Sequence, residues 1–487
     1  MLPVREDFLR ILPEIILCLT GILVMVIEPF LSQARRAFLV SLAGGGAVLG
    51  LLATMYPSPH LGPAFSGLLR IDAFSVFFHV LIGLIALLAI LASSDYLERE
   101  HIQHGEYYAL VLFAAAGMGV MASATELVTA FVGLEVSSIS TYVLAGYRRD
   151  APGSNEASMK YFLLGSFATA FFLYGVALLY GATGTTRLEQ MVPASLAGSG
   201  ELWRVGLALV LVGLGFKVAA APFQMWAPDV YQGAPTPVTA LLASGPKAAA
   251  FALLLRILVT VDSAGPFWFW ALWVSAALTM LSGNLAALVQ TNIKRMLAYS
   301  SIAHAGYILV ALAAAAASEN LALGAAAVLY YLAAYALMKL GAFVIVTQLG
   351  GASECHVEIN DLAGLGTRQP LTAACFSLFL LSLLGLPVTA GFLGKFYIFN
   401  AALASHLVGL AILLALNSVI AAVYYLRVLV VMYMREPDPE NESAAAPVPW
   451  AVATVLLVSA AGTLYLGLFP ARVMAFAAQA ASSLPLR

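Results

Sequence analysis

Residues 203–225 read WRVGLALVLVGLGFKVAAAPFQM, and this run decides the fold class. From Val205 to Phe216 it holds no polar side chain, and then Lys217 and Pro222 follow within six residues. Stretches of this length and apolarity recur from one end of the chain to the other, at about 9–28, 37–56, 71–93, 107–125, 127–147, 157–181, 203–225, 237–261, 267–288, 296–317, 321–349, 371–403, 405–434 and 448–469. About twenty such residues cross a bilayer as a helix, whose backbone satisfies its own hydrogen bonds. The sequence therefore predicts an all-α polytopic membrane protein of about fourteen transmembrane helices. A lipid-facing barrel would need alternating segments of about ten residues instead.

Composition agrees. Of 487 residues 62% are hydrophobic and 10% charged, whereas soluble domains carry about 25% charge, so a water-facing surface cannot be covered. The net charge of -2 gives no basic field for nucleic acid. Cys18, Cys355 and Cys375 lack any paired ligand spacing, which argues against a disulfide framework or an iron–sulfur cluster. Of seven histidines only His79 and His304 lie well inside apolar segments, which leaves at most one facing pair for one haem and argues against a b-type cytochrome. No G-x-G-x-x-G opens a βαβ unit, so no dinucleotide site is expected. Glu14 interrupts the first apolar run and no small-x-small cleavage site follows, so that segment is expected to stay as the first helix.

Orientation follows from Lys and Arg in the connections. With both ends set aside, odd-numbered connections hold nine (Arg35, Arg36, Arg99, Arg148, Arg149, Lys294, Arg295, Arg368 and Arg435) and even-numbered ones three (Arg70, Arg187 and Arg204). The odd connections are thus expected in the cytoplasm and both termini on the periplasmic side.

Polar groups within the spans carry the functional reading. Glu135 sits near the middle of its segment with Ser138 and Tyr142 on one face, at a depth that costs about 2.5–3.5 kcal/mol for a charge. Lys217 precedes Pro222, which frees a carbonyl and opens a polar notch, with Gln224 nearby. The segment 371–403 is too long for one ordinary span and breaks at Leu386-Pro387, with Gly385, Gly391 and Gly394 around the break and Lys395 beyond it. Lys160 and Lys339 occupy corresponding helices of 127–261 and 296–434, which suggests a duplicated unit. Lys247 has Ser244 on its face, and Tyr299, Ser300, Ser301 and His304 follow Lys294-Arg295. Arg256 and Arg427 are expected to snorkel from helix ends. Lysines outnumber acids inside the spans, unlike a fixed ion-pair cluster. Exchange of salt bridges among Glu135, Lys160, Lys217 and Lys247 is the expected switch, because a lysine whose carboxylate partner comes and goes can take up and release a proton.

These residues stand in runs that resemble a known family. Leu134-Glu135 with Ser137-Ser138, Gly215-Phe216-Lys217-Val218, Trp226-Ala227-Pro228-Asp229-Val230-Tyr231, Gly233-Ala234-Pro235-Thr236-Pro237, Lys294 through His304, and Gly385-Leu386-Pro387 with Gly391-Phe392-Leu393-Gly394-Lys395 together resemble the antiporter-like, proton-pumping membrane subunits of respiratory complex I. Within that family the chain looks most like the subunit N branch of bacterial NADH-quinone oxidoreductase. It shows no long lateral helix after the last span, and it has lysine at 395 where a sister subunit tends to carry glutamate.

The resemblance implies two inverted five-helix repeats with helices 7 and 12 broken. It divides the chain into an N-terminal three-helix segment (1–106), a first repeat (107–261), a second repeat (262–434) and a linker with the C-terminal helix (435–487). It makes Glu135 the membrane glutamate of the family, Lys217 and Lys247 its channel lysines, and Lys395 the lysine of the opposite exit. Related members often have histidine where Gln224 stands, so water or His304 would have to serve there. The implied setting is a bacterial inner membrane. Subunits M, K and J and the lateral helix of L are the expected neighbours, lipid surrounds the spans, and the hydrophilic redox arm acts indirectly. NADH, FMN, iron–sulfur clusters and quinone are expected in partner subunits and no cofactor in this chain. Competing readings are a subunit of a multisubunit Na+/H+ antiporter, another complex I-like assembly, or a purely structural scaffold.

Overall fold

The computed structural model describes residues 5–32, 36–55, 61–195, 200–260, 266–317, 321–436 and 448–484. The turn Pro57-Ser58-Pro59 and most of the polar linker after Arg435 lie outside them. Fourteen crossings follow in chain order: α1 Leu12–Ile27, α2 Ala37–Ala53, α3 Ala73–Arg99, α4 Gly105–Ser123, α5 Leu127–Ala145, α6 Pro152–Thr183 and α7 Gly200–Val218. The second seven are α8 Thr236–Thr260, α9 Pro266–Leu288, α10 Ile293–Ala316, α11 Leu321–Leu349, α12 split into Pro370–Leu384 and Ala390–Ala404, α13 Val408–Met434 and α14 Trp450–Leu468. Among the described residues eleven helices are individually long and apolar enough to cross a membrane. The remaining three crossings are α2, α7 and the broken α12.

The layering is that of a bundle whose outer helices face lipid. The described window of α8 is wholly buried and that of α10 almost so, while α1, α6, α13 and α14 turn large apolar side chains outward, Phe167 and Leu457 among them. Side chains close the helix starts where backbone N–H groups lack partners. Asp72 caps α3 in a reciprocal pair with Ser75, Glu126 accepts from Thr129 N on α5, and Asn292 accepts from Arg295 N on α10.

Some elements lie outside the fourteen crossings. A small hairpin pairs β1 (Gly62–Ala64) with β2 (Leu69–Ile71), and an amphipathic helix, Pro470–Ser482, follows α14 and packs on α3 and α11. Arg256 does not snorkel. It is buried on α8, gripping both oxygens of Asp72 at 3.0 Å and donating to Ala122 O at 3.1 Å, so it ties α8 to the start of α3 and the end of α4. Its helix is surrounded by protein, which leaves the guanidinium no route to an interface. Arg427 instead donates to the carbonyls of Leu288 and Gln290 at the end of α9.

Glu354 fastens one end of the bundle from the connection after α11. Its carboxylate accepts from Thr236 N at 2.8 Å and from Lys294 Nζ at 2.6 Å. Burial alone would raise this carboxyl, but the Lys294 ammonium and the Thr236 hydrogen bonds hold it below the usual range. A depressed carboxyl contributes stability in full above its unfolded value of about 4.3 and loses it as pH falls through the folded value. E354Q should therefore lower the thermal midpoint at neutral pH, by an amount consistent with about 3 kcal/mol for a broken buried pair. The difference from wild type should vanish in acid. An equal difference at all pH values would refute the assignment.

The break in α12 depends on glycine. A Cβ at Gly391 would lie 1.8 Å from the carbonyl oxygen of Ser382, which is backbone and cannot turn aside. Gly391 N–H, in the first turn of the second half-helix, donates to Ser382 Oγ at 3.1 Å. We expect G391A to sharply reduce the amount of folded chain recovered from membranes, since overpacking costs about 1–3 kcal/mol or more. Wild-type recovery would show that the two half-helices separate freely.

Candidate functional site

Both broken helices hold their free backbone groups on neighbouring side chains, the condition for irregular chain at membrane depth. After α7 ends at Val218, Ala221 N donates to Thr279 Oγ1 at 2.8 Å and Ser275 Oγ donates to Ala221 O at 3.0 Å, both from α9. Trp226 Nε1 donates to Phe216 O at 2.8 Å. In α12, Lys395 itself donates to Leu384 O at 2.8 Å, placing its ammonium on the negative end of the first half-helix.

Lys217 lies buried between two tyrosine rings, 5.0 Å from that of Tyr142 and 5.1 Å from that of Tyr161, and donates to Tyr161 Oη at 3.4 Å. Glu135, half-buried on α5, is close enough to act electrostatically on Lys217 and Tyr142, and its Oε1 is buried with no hydrogen-bond partner. Gln224 Oε1, just past the break, is likewise unpartnered. Tyr161 stacks on Trp226 at 4.7 Å, and Trp226 meets Tyr231 at 5.9 Å.

A second group centres on α10. Lys247 donates to Ser301 Oγ at 2.6 Å and to Ser301 O at 2.8 Å, and Ser301 Oγ shares a hydrogen with Tyr335 at 2.7 Å. Lys339 donates to Ser300 Oγ at 2.9 Å, and Ser300 in turn contacts the hydroxyl of Tyr425. His304 stands between Tyr425 (Nε2, 3.2 Å) and Tyr331 (Nδ1, 2.5 Å). Lys395 lies 4.8 Å from the ring of Tyr307, whose hydroxyl accepts from Asn284, and Asn284 joins Asn417 and Tyr424. Among the described residues no carboxylate lies within 4 Å of Lys247, Lys339 or Lys395. Hydroxyls, carbonyls and ring faces take that place.

The structure thus brings together Lys247, Lys339, His304 and Lys395, with Glu135 and Lys217 forming a neighbouring group. It does not bring in Lys160 or Tyr299. Because α6 starts at Pro152, Lys160 lies only about 12 Å along it. There it is half-exposed and pairs with Glu156 and Asp229, each at 2.7 Å. Arg295 completes this set at 2.8 Å from Asp229. Burial alone would raise the Asp229 carboxyl, but its hydrogen bonds to Lys160 and Arg295 hold it below the usual range. In place of the expected four-way salt-bridge exchange stand this separate surface cluster of four charges and hydroxyl contacts inside. Tyr299 turns outward toward Arg295, 5.9 Å from its ring, while Ser300 and Ser301 face inward. His304 is committed to Tyr331 and Tyr425 rather than standing in for Gln224.

Sequence reasoning missed Tyr331, Tyr335, Tyr425, Tyr307, Asn284 and Asn417. The available signal was polar residues deep within α9, α10, α11 and α13, at depths where a hydroxyl or amide needs a partner. Among the described residues no group of three or more His, Cys, Asp or Glu side chains is placed to hold a metal ion. The arrangement is suited to passing protons between lysines through hydroxyls and an imidazole.

Comparison with known proteins covers nearly all of the chain. The family described as NADH:quinone oxidoreductase/Mrp antiporter, TM, matches residues 124–421. NADH-quinone oxidoreductase subunit N 1 of Solibacter usitatus (strain Ellin6076) is 50% identical over 98% of each chain. A chain of respiratory complex I from Thermus thermophilus is 38% identical, with a TM-score of 0.81 over 96% of this chain and 99% of that one. A chain of the membrane-bound sulfane sulfur reductase, an archaeal respiratory membrane complex, is 28% identical, with a TM-score of 0.86 over 98% of each.

Proposed function

The chain belongs to the NADH:quinone oxidoreductase/Mrp antiporter transmembrane family, as a subunit N-like member, and from that premise we propose how it moves protons. It is a multi-pass inner-membrane subunit of an ion-translocating, redox-linked complex, and in our reading the complex is a bacterial NADH-quinone oxidoreductase. NADH, FMN, iron–sulfur clusters and quinone are held by partner subunits. This chain contributes the transfer of protons across the membrane. The carrying observation is the row of buried lysines around α10 on polar partners other than carboxylates, Lys247 with Ser301, Lys339 with Ser300, and Lys395 with Leu384 O over the ring of Tyr307.

In this reading residues 107–261 and 262–434 are the two repeats. Glu135 and Lys217 load a proton in the first, Lys247 receives it, and Lys339 and His304 relay it to Lys395 for exit in the second. Electrostatics drives the steps: protonating one lysine at low dielectric raises the energy of a charge on the next by several kcal/mol. Both termini face the periplasm, on the Lys/Arg count of the connections. The apolar outer faces of α1, α6, α13 and α14 meet lipid and the neighbours M, K, J and the lateral helix of L. The test is exchange into a bacterial host whose own subunit N is deleted. Inverted vesicles should regain proton uptake per NADH oxidised to near the host's native ratio. Assembly with normal NADH oxidation but no gain in uptake would refute the reading.

A further inference from the structure

Outside both repeats, the N-terminal three-helix segment buries a second titratable pair. Glu14 Oε1 on α1 lies 2.9 Å from His79 Nε2 on α3, and both side chains are more than nine-tenths buried. His79 Nε2 is also 2.9 Å from Ser123 Oγ and 3.3 Å from Gly119 O on α4. A carboxylate, a hydroxyl and a carbonyl around one nitrogen fix its hydrogen there, since neither the carboxylate nor the carbonyl can donate. Any second imidazole proton therefore sits on Nδ1. The other oxygen of Glu14, Oε2, is buried with no hydrogen-bond partner. Gly119 makes the room, because a Cβ there would come within 2.6 Å of Oε1.

Glu14 and His79 both line a cavity of about 20 Å³ that runs past Ala47, Gly50 and Thr54. That volume is enough for about one water, which needs about two to four polar partners, and Glu14, His79 and Thr54 are the polar residues that line it. The place is shallow. Glu14 stands in the first turn of α1, Thr54 follows the last turn of α2, and His79 lies about 9 Å along α3, all toward the membrane face where the chain begins. We propose that Glu14 and His79 form a proton-binding site that exchanges one proton through this cavity with that aqueous face. With the proton bound, the pair is carboxylate and imidazolium. On release the Nδ1 proton passes to water, Nε2–H stays on Glu14, and the site gains one negative charge.

Other charged or titratable groups around the site are Cys18 one turn along α1, Asp72 two turns back on the same face of α3, and Arg256 on α8, which clasps Asp72. Arg256 is nine residues beyond Lys247 on the same helix, so a change of charge at His79 reaches the first repeat through the Asp72–Arg256 clasp.

The test uses the full chain in lipid bilayers with ¹⁵N-labelled histidine, followed by solid-state NMR between about pH 5 and about pH 9, an interval that spans the imidazole range. One buried histidine signal, absent from H79Q, should pass from imidazolium to the neutral Nε2–H tautomer as pH rises. In E14Q the same passage should move to lower pH by about one unit or more, since a carboxylate neighbour stabilises the charged ring. S123A, which alters one of the oxygens around Nε2 without removing a charge, assigns the signal if H79Q does not accumulate. A His79 signal fixed in one state across the range, or a passage unmoved by E14Q, would overturn the proposal.

Discussion

Replacing Lys217 with alanine should abolish most redox-driven proton pumping while leaving the complex assembled in the membrane. The ammonium is held by Tyr142 and Tyr161 and lies within electrostatic reach of Glu135, so its removal deletes the group proposed to accept the proton first beside the α7 break. A charge-assisted hydrogen bond of this kind is worth about 1.5–3 kcal/mol, which corresponds to about ten- to hundredfold in a transfer rate. Assembly should survive because the break itself is pinned by Thr279, Ser275 and Trp226, whose hydrogen bonds go to the backbone of Ala221 and Phe216. Proton uptake per NADH oxidised, normalised to complex content, measures the effect. A normal ratio in K217A would make the lysine a packing element and move loading to Lys247.

The sequence made the crossings and the broken helices legible because both are written locally. Apolar length marks a span, and Pro222 and Pro387 mark breaks. The burial of Lys217, Lys247, Lys339 and Lys395 was equally legible, since each stands inside an apolar run. Lys160 was misread because its depth depends on where α6 begins, and Pro152 starts the helix earlier than the apolar run does. Tyr299 and Ser300 are neighbours in sequence but about 100° apart on a helix, and only packing decides which faces inward. The Asp72–Arg256 clasp joins residues 184 positions apart, and no local pattern announces it. The tyrosines of α11 and α13 were missed for a related reason: a phenol reads as interfacial until the lysine or histidine it faces is known.

Replacing Lys395 with arginine should be nearly as damaging to pumping as replacing it with alanine, and this separates a relay from a fixed charge. The lysine ammonium donates to Leu384 O and faces the ring of Tyr307, and Gly385, at φ +95°, lies beside its stem. Arginine can keep the charge at the end of the first half-helix, together with its favourable interaction with the helix dipole. It cannot release a proton, because guanidinium does not deprotonate in proteins. An exit relay must cycle between charged and neutral forms, so K395R should block outward transfer while assembling better than K395A, which leaves the Leu384 carbonyl unbonded. The expected ranking in inverted vesicles is wild type far above K395R, with K395A at or slightly below K395R, at complex contents that rank wild type, K395R, K395A. Pumping in K395R near the wild-type ratio would show that only the charge matters at 395, and the proton would then have to leave through His304 and Lys339.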